Sequence, residues 1–389
     1  LREIPVDQLQ LGMYVSKLDR PWTETPFVFQ GFVLRNEKQI DAIRQFCKHV
    51  FVDSDKEDLT VAAASIRGTT VYKEVASLDA ELPRARSAIA KATIVIKEIT
   101  HAVDVGGTID SAKVNEAASD ITESVVRNPD AATLLVQLQE KSGETFDRAI
   151  YISVMMSIFG RFLQLPRESI ELLGLLGLLQ DAGKIKLPTA LLHKRAPFSP
   201  EEEALYRTHV EHSVKILNST PGLPNDLPGF ASLHHEHFDG SGYPRGLRGG
   251  AIALTGMIAA IVDAFDTLIA PPPHGKHMSP SDALNLIYKG RGTLFQPALV
   301  EQFIQCVGVY PVGSAVELNT GEIGIVIAQN PFRLRPRVMV VKDAKGYESR
   351  PYKMLDLSKE PKATPDEPYR VRRALGYDAV KVDPRELFL

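Results

Sequence analysis

From Glu81 to Val307 the apolar residues of this chain recur at steps of three and four rather than in alternation, and that period constrains the fold more than any other feature. Ala88, Ala90, Ala92, Val95, Ile96 and Ile99 are compatible with one helical face. The segments Asn115–Val126, Ala131–Gln139 and Phe146–Leu163 continue in the same style. The expected fold is mainly α, with a helical core over residues 131–309. The period fails at both ends. Residues 1–55 mix short apolar stretches, a helix-like run from Ile40 to Phe46 and a strand at Val50–Val52, which predicts a small α/β domain. Residues 56–130 read as a polar linker followed by connecting helices. Past Pro311, the runs Ala315–Leu318 and Ile323–Ala328 flank Asn319-Thr320-Gly321, a hairpin signal, and Val338–Val341 follows. A small β subdomain is expected at 310–345 and a polar tail at 346–389.

Composition serves mainly to exclude. The 389 residues are 44% hydrophobic and 24% charged, ordinary globular usage that rules out disorder along the whole chain. A net charge of −3 argues against a DNA-binding face or an anionic-membrane footprint. Cys47 and Cys306 are far apart and form no CxxC, so a disulfide framework and a thiolate zinc site are both disfavoured, and a cytoplasmic location is expected. The longest apolar runs, Leu172–Leu179 and Met257–Val262, are too short to span a bilayer.

The histidines point to chemistry. Eight of the 10 fall between His193 and His277. Within that stretch His234-His235-Glu236 precedes Asp239-Gly240-Ser241-Gly242-Tyr243-Pro244, a loop with glycines enough to let backbone approach a ligand. Asp181-Ala182-Gly183-Lys184 follows the apolar helix Ile170–Leu179, so a carboxylate and an ammonium emerge at a helix end. His209 and His212 are three apart on another helix. Neutral imidazoles beside a carboxylate suit iron, manganese or zinc.

The run from His234 to Gly246 resembles the signature of the HD-GYP domain, a family of bacterial metal-dependent phosphodiesterases of cyclic di-GMP. The resemblance extends over Ala131–Val309, taking in Asp181-Ala182-Gly183-Lys184-Ile185, Thr208-His209 and Ile261-Val262-Asp263-Ala264-Phe265-Asp266. Leu9–Val15, with Trp22 and Gly31-Phe32, is also similar to a small domain often found ahead of such modules. The resemblance implies an HD-GYP-like helical bundle, with Asp181, His209, His234, His235, Asp263 and Glu144 as metal ligands. It further implies catalytic roles for Asp181 and Lys184, and a ligand-binding role for Lys184, Gly242, Tyr243 and Pro244.

Two positions depart from that pattern. Where the family has a histidine one turn after Glu144 this chain has Arg148, and the His-Asp dyad reads Gln180-Asp181. No histidine occurs between His101 and His193, so a shifted register cannot restore either ligand. By this carry-over one metal site has lost both imidazoles, while the other keeps Asp181, His209, His234 and His235. The expectation is one divalent transition metal, iron, manganese or zinc, with the second site empty. The guanidinium of Arg148 is expected to face Asp181, Asp263 or Glu144 in place of the missing cation. Hydrolysis with both metals stabilises the attacking and the leaving oxygens. Loss of one predicts a module that binds cyclic di-GMP or a related dinucleotide with impaired turnover. The alternatives are an active phosphodiesterase, or a scaffold that meets a signalling protein through the Gly242-Tyr243-Pro244 loop.

Overall fold

The structure, a computed structural model, describes residues 2–11, 13–20, 31–34, 37–53, 66–138, 145–194, 196–270, 278–330, 334–375 and 380. Two separate apolar cores form. The first belongs to an antiparallel sheet of β1 (Arg2–Pro5), β2 (Tyr14–Leu18), β3 (Phe32–Val33) and β4 (His49–Val52), in the order β1-β4-β2-β3. Helix α1 (Glu37–Phe46) covers it, burying Ile40 and Ile43 with Ile4, Val15, Leu18 and Val50. The Asp19 carboxylate, just past β2, accepts the Lys48 and His49 amides at 2.7 and 3.2 Å and so fixes the start of β4.

The second core is helical. It is built from α2 (Leu78–Asp104), α3 (Ser111–Arg127), α4 (Pro129–Leu138), α5 (Thr145–Phe162), α6 (Arg167–Leu179), α7 (Thr189–Leu192), α8 (Pro200–Asn218), α9 (Leu227–Ala231), α10 (Leu254–Ile269), α11 (Pro280–Lys289) and α12 (Pro297–Val307). Helices α2 and α3, which the sequence places in a connecting segment, pack into this core through Ala85, Ala92, Val114, Ala117, Ile121 and Val125. A fully buried Glu81 accepts two hydrogen bonds from Arg127, at 2.8 and 2.9 Å, and locks α2 to α3. The helical period read from Glu81 onward includes these apolar faces but carries no signal for the buried Glu81–Arg127 pair.

Helix starts follow local chemistry. Ser199 caps α8 by accepting the Glu202 amide, and the Glu202 carboxylate returns to the Ser199 amide at 2.7 Å. Pro200 at the first helical position and three successive glutamates in the first turn suit the positive helix end. Replacement of Ser199 by alanine is expected to cost about 1 kcal/mol, seen as a lower urea midpoint with an unchanged slope. An unchanged midpoint would mean that the cap contributes nothing.

Beyond α12 the chain forms a five-stranded antiparallel sheet of β5 (Ala315–Leu318), β6 (Ile323–Ala328), β7 (Arg337–Lys342), β8 (Glu348–Asp356) and β9 (Val371–Ala374), in the order β8-β7-β6-β5-β9. The hairpin at Asn319-Thr320-Gly321 is present, with β5 paired to β6. The sheet does not stop at 345. Strands β8 and β9 lie where a polar tail was expected, because both are edge strands whose largely exposed side chains leave no alternation to read. Among the described residues no helix is long and apolar enough to cross a membrane.

Candidate metal centre

Four chain segments end at one point in the helical unit. Helix α6 runs out at Leu179, delivering Gln180 and Asp181 into a tight turn over Ala182–Lys186. That turn lies directly on α8. A Cβ at Gly183 would stand 2.0 Å from the His209 carbonyl oxygen, so only glycine permits the approach, and the Gly183 amide donates to Ser213 Oγ at 2.8 Å. His209 is thereby set beside Asp181, and the chain leaving α9 adds His234 and His235.

The imidazoles are oriented by backbone. His209 Nδ1 lies 2.6 Å from the Tyr206 carbonyl and His234 Nδ1 lies 2.7 Å from the Ala231 carbonyl, so each carries its proton on Nδ1 and turns a lone pair on Nε2 inward. His209 Nε2 is 3.4 Å from His234 Nε2 and 3.2 Å from His235 Nε2. Asp181 Oδ1 is 3.5 Å from both His209 Nε2 and His234 Nε2, and it is buried without a hydrogen-bond partner among the described residues. Donors about 2.0–2.1 Å from a common centre at tetrahedral angles sit about 3.3–3.4 Å apart. The spacing and the orphaned oxygen therefore fit a divalent transition metal. Among the described residues these three histidines are the group whose donor atoms could hold an ion.

The second carboxylate oxygen of Asp181 is taken by Lys184, with Nζ 2.7 Å from Oδ2 and both side chains 8% exposed. Burial alone would raise the Asp181 pKa, but Lys184, His234 and His209 outweigh it and hold the carboxyl well below its usual range. Lys184 is shifted upward in turn, its burial being outweighed by Asp181.

A separate cluster lies beside this one. Arg148 on α5 places Nη2 3.1 Å from Asp263 and Nε 3.1 Å from Asp266, both on α10, and donates to Thr267 Oγ1 at 3.0 Å. Burial works against the guanidinium, yet Asp266, Asp263 and Asp181 raise its pKa, so it is a permanent cation. Asp263 thus sits against Arg148 and outside the imidazole group. Glu144 lies outside the described residues, as do His274 and His277. Gln180 is fully buried, and among the described residues neither amide atom has a hydrogen-bond partner.

The Gly242-Tyr243-Pro244 loop supports the imidazoles from above. A Cβ at Gly242 would lie 2.3 Å from the His237 nitrogen and 2.5 Å from the His235 oxygen, so glycine is required there. The Tyr243 amide donates to the His235 carbonyl at 3.0 Å, and its ring stacks on the His235 imidazole with centroids 4.7 Å apart. Arg207 lies over the other part of the Tyr243 ring at 4.6 Å. Pro244 follows a cis peptide bond. Glu236 carries no role in the sequence reading, yet it anchors the loop from a buried position by accepting the Arg245 and Leu247 amides, each at 2.8 Å. Asp266 was also missed, although its place three residues after Asp263 puts both on one helix face. A cleft of about 640 Å³ opens beside the centre, lined by Arg148, Lys184, His235 and Asp263 and by apolar residues that include Leu286 and Phe295.

Three family models match this chain. An HD domain model matches residues 131–299, a domain of unknown function matches 1–114, and a KOW domain associated with the HD domain matches 315–364. A cyclic di-GMP phosphodiesterase of Pseudomonas aeruginosa is 29% identical over 371 residues, 92% of this chain and 89% of that protein. The chain belongs to the HD-GYP family. Other relatives align over shorter stretches. A 3′3′-cGAMP-specific phosphodiesterase of Vibrio cholerae is 37% identical over 33% of this chain and 24% of its own length. A solved HDG"Y"P protein from Bdellovibrio bacteriovorus superposes with a TM-score of 0.49 at 16% identity, covering 78% of this chain and 98% of that one.

The histidines of this HD-GYP centre carry a pH signature. Burial, only partly opposed by Asp181, lowers the His209 pKa to about 4, and burial together with His234 pushes His235 down as well. An unfolded chain protonates such groups near pH ~6.5. Between about pH 6.5 and 4 the metal-free fold therefore binds fewer protons than the unfolded chain, and its stability falls as pH falls. In chelator, the urea midpoint of the wild type is expected to drop more between about pH 7 and pH 5 than that of His209→Gln. Equal drops would show that His209 does not resist protonation.

Proposed function

We propose that this HD-GYP chain is a regulatory module that binds cyclic di-GMP or a related cyclic dinucleotide and hydrolyses it poorly or not at all. The observation that carries the reading is Arg148 lying between Asp263 and Asp266. With Asp181 balanced by Lys184 and the α10 carboxylates balanced by Arg148, the anionic charge that a second divalent ion would need is already neutralised. His209, His234 and His235, with the free oxygen of Asp181, would hold one ion of iron, manganese or zinc. When bound, that ion supplies Lewis acidity toward a phosphoryl oxygen. The protein supplies the rest. Lys184 and Arg148 present cationic groups to a phosphodiester in the cleft, and Leu286 and Phe295 present apolar surface to a base. Tyr243 keeps the His235 ring in place. Gln180 stands where the family's dyad has an imidazole, and an amide is a far poorer metal ligand.

An active phosphodiesterase is the second reading, favoured by the name of the P. aeruginosa relative, of which the chain covers 89%. Binding to manganese-loaded full chain separates them. Equilibrium dialysis with cyclic di-GMP should show saturable binding, and chromatography should recover the nucleotide intact. Complete conversion to linear product would contradict the proposal.

A further inference from the structure

Further along α5 from Arg148, a second cavity of about 530 Å³ opens where the helical core meets the β subdomain. Its size suits a small molecule. Met155 and Ile158 of α5, Phe265 of α10 and Val307 of α12 give it an apolar lining. The charged groups in its wall are Arg161, Glu74 and Asp130. Arg161 donates through Nε to the Val126 carbonyl at 3.4 Å and lies 5.9 Å from the Tyr72 ring, but no carboxylate of the described residues forms an ion pair with it. Burial lowers its pKa, and the charges of Glu74 and Asp130 oppose this in part. Among the described residues the cavity thus holds a half-buried guanidinium without an ion pair, apolar side chains, and the carboxylates of Glu74 and Asp130, the latter also accepting the Gln329 amide at 3.1 Å.

Those charges select among ligands. A simple organic anion would meet Arg161 but would be repelled by Glu74 and Asp130. A simple amine would suit the carboxylates but leave the guanidinium unpaired. A polyphosphate would find one cation where it needs several. We propose that the cavity is a second small-molecule site for a zwitterion with an apolar body, the class of the apolar α-amino acids. The ligand carboxylate pairs with Arg161, its ammonium faces Glu74 and Asp130, and its side chain rests on Met155, Ile158 and Phe265. The site does not depend on the metal reading, although α5 and α10 also carry Arg148 and Asp263.

The test titrates the full chain calorimetrically with L-leucine, L-methionine and L-phenylalanine up to ~10 mM. In parallel, the rate at which a thiol reagent labels Cys306, which lines the cavity, is followed. Cys47 is buried, with burial raising its thiol to about 11, and serves as the slow internal reference. At least one of the three should bind at a single site and slow Cys306 labelling. Analogues lacking the ammonium or the carboxylate should bind at least about tenfold more weakly, and Arg161→Gln should lose a similar factor. Thr133→Trp, which narrows the cavity without touching the charged groups, should abolish binding with metal content unchanged. Absence of binding by all three amino acids, equal binding of the singly charged analogues, or full affinity in Arg161→Gln would overturn the proposal. The analogue comparison uses only wild-type protein, so it decides the matter even if a variant misfolds.

Discussion

Arg148→His combined with Gln180→His is expected to raise the metal content from about one to about two ions per chain and cyclic di-GMP hydrolysis by roughly a thousandfold or more. The double change removes the cation that occupies Asp263 and Asp266 and supplies two imidazoles in its place. A second ion would then clamp the oxygen of the phosphodiester displacement that the wild type leaves without a partner. Each single variant should achieve far less, because groups that act as one unit are strongly non-additive. Arg148→His alone leaves two α10 carboxylates close together without their guanidinium, so in chelator it should also be destabilised. Metal counting by plasma emission and a product assay check both halves. A double variant with wild-type metal content and wild-type turnover would show that Arg148 is not a substitute for a cation.

Lys184→Met is expected to lower the stability of chelated protein by about 3–5 kcal/mol, because it leaves a buried carboxylate without its counter-charge. At about 2–4 °C per kcal/mol this is a fall of roughly 6–20 °C in melting temperature. The pair is buried on both sides, with 2.7 Å between Lys184 Nζ and Asp181 Oδ2. The penalty should shrink as pH falls, since Asp181 freed from Lys184 titrates at a higher pH and becomes neutral sooner. Added manganese should restore much of the loss by supplying a cation to the same carboxylate, and Asp181→Leu with Lys184→Met should recover stability without metal. Differential scanning calorimetry in chelator measures all of this. A Lys184→Met protein that melts with the wild type would remove the charge balance from the account.

The histidine cluster that could hold a metal was legible because its residues are concentrated in sequence. His234 and His235 are adjacent and followed by a loop whose glycines only make sense against close backbone, as Gly242 shows. Asp181 and His209 could be joined to them only through the family resemblance, since nothing in periodicity says that a turn after α6 rests on α8. The facing of Arg148 to Asp263 was anticipated on charge, but its second partner, Asp266, was not, because an aspartate in an apolar helix has no signal of its own until the opposite helix is placed. The same limit hid Glu81 and Arg127, which have no signal of their own in the sequence and tie α2 to α3 inside the core. Strands β8 and β9 escaped notice for a different reason: at a sheet edge neither face is buried strongly enough to impose a period. Helices α4, α5, α6, α10 and α12, by contrast, bury apolar residues along most of their length, and those residues are visible in the sequence as a helical period.

The central proposal is that the built-in guanidinium of Arg148 leaves this HD-GYP chain with a single metal and little hydrolysis. The most direct measurement is metal content per chain together with cyclic di-GMP turnover on the same wild-type sample, prepared with saturating manganese or iron. About one ion per chain with turnover roughly a thousandfold or more below that of an intact two-metal relative is the expected result. Two ions per chain with turnover comparable to that relative would contradict it.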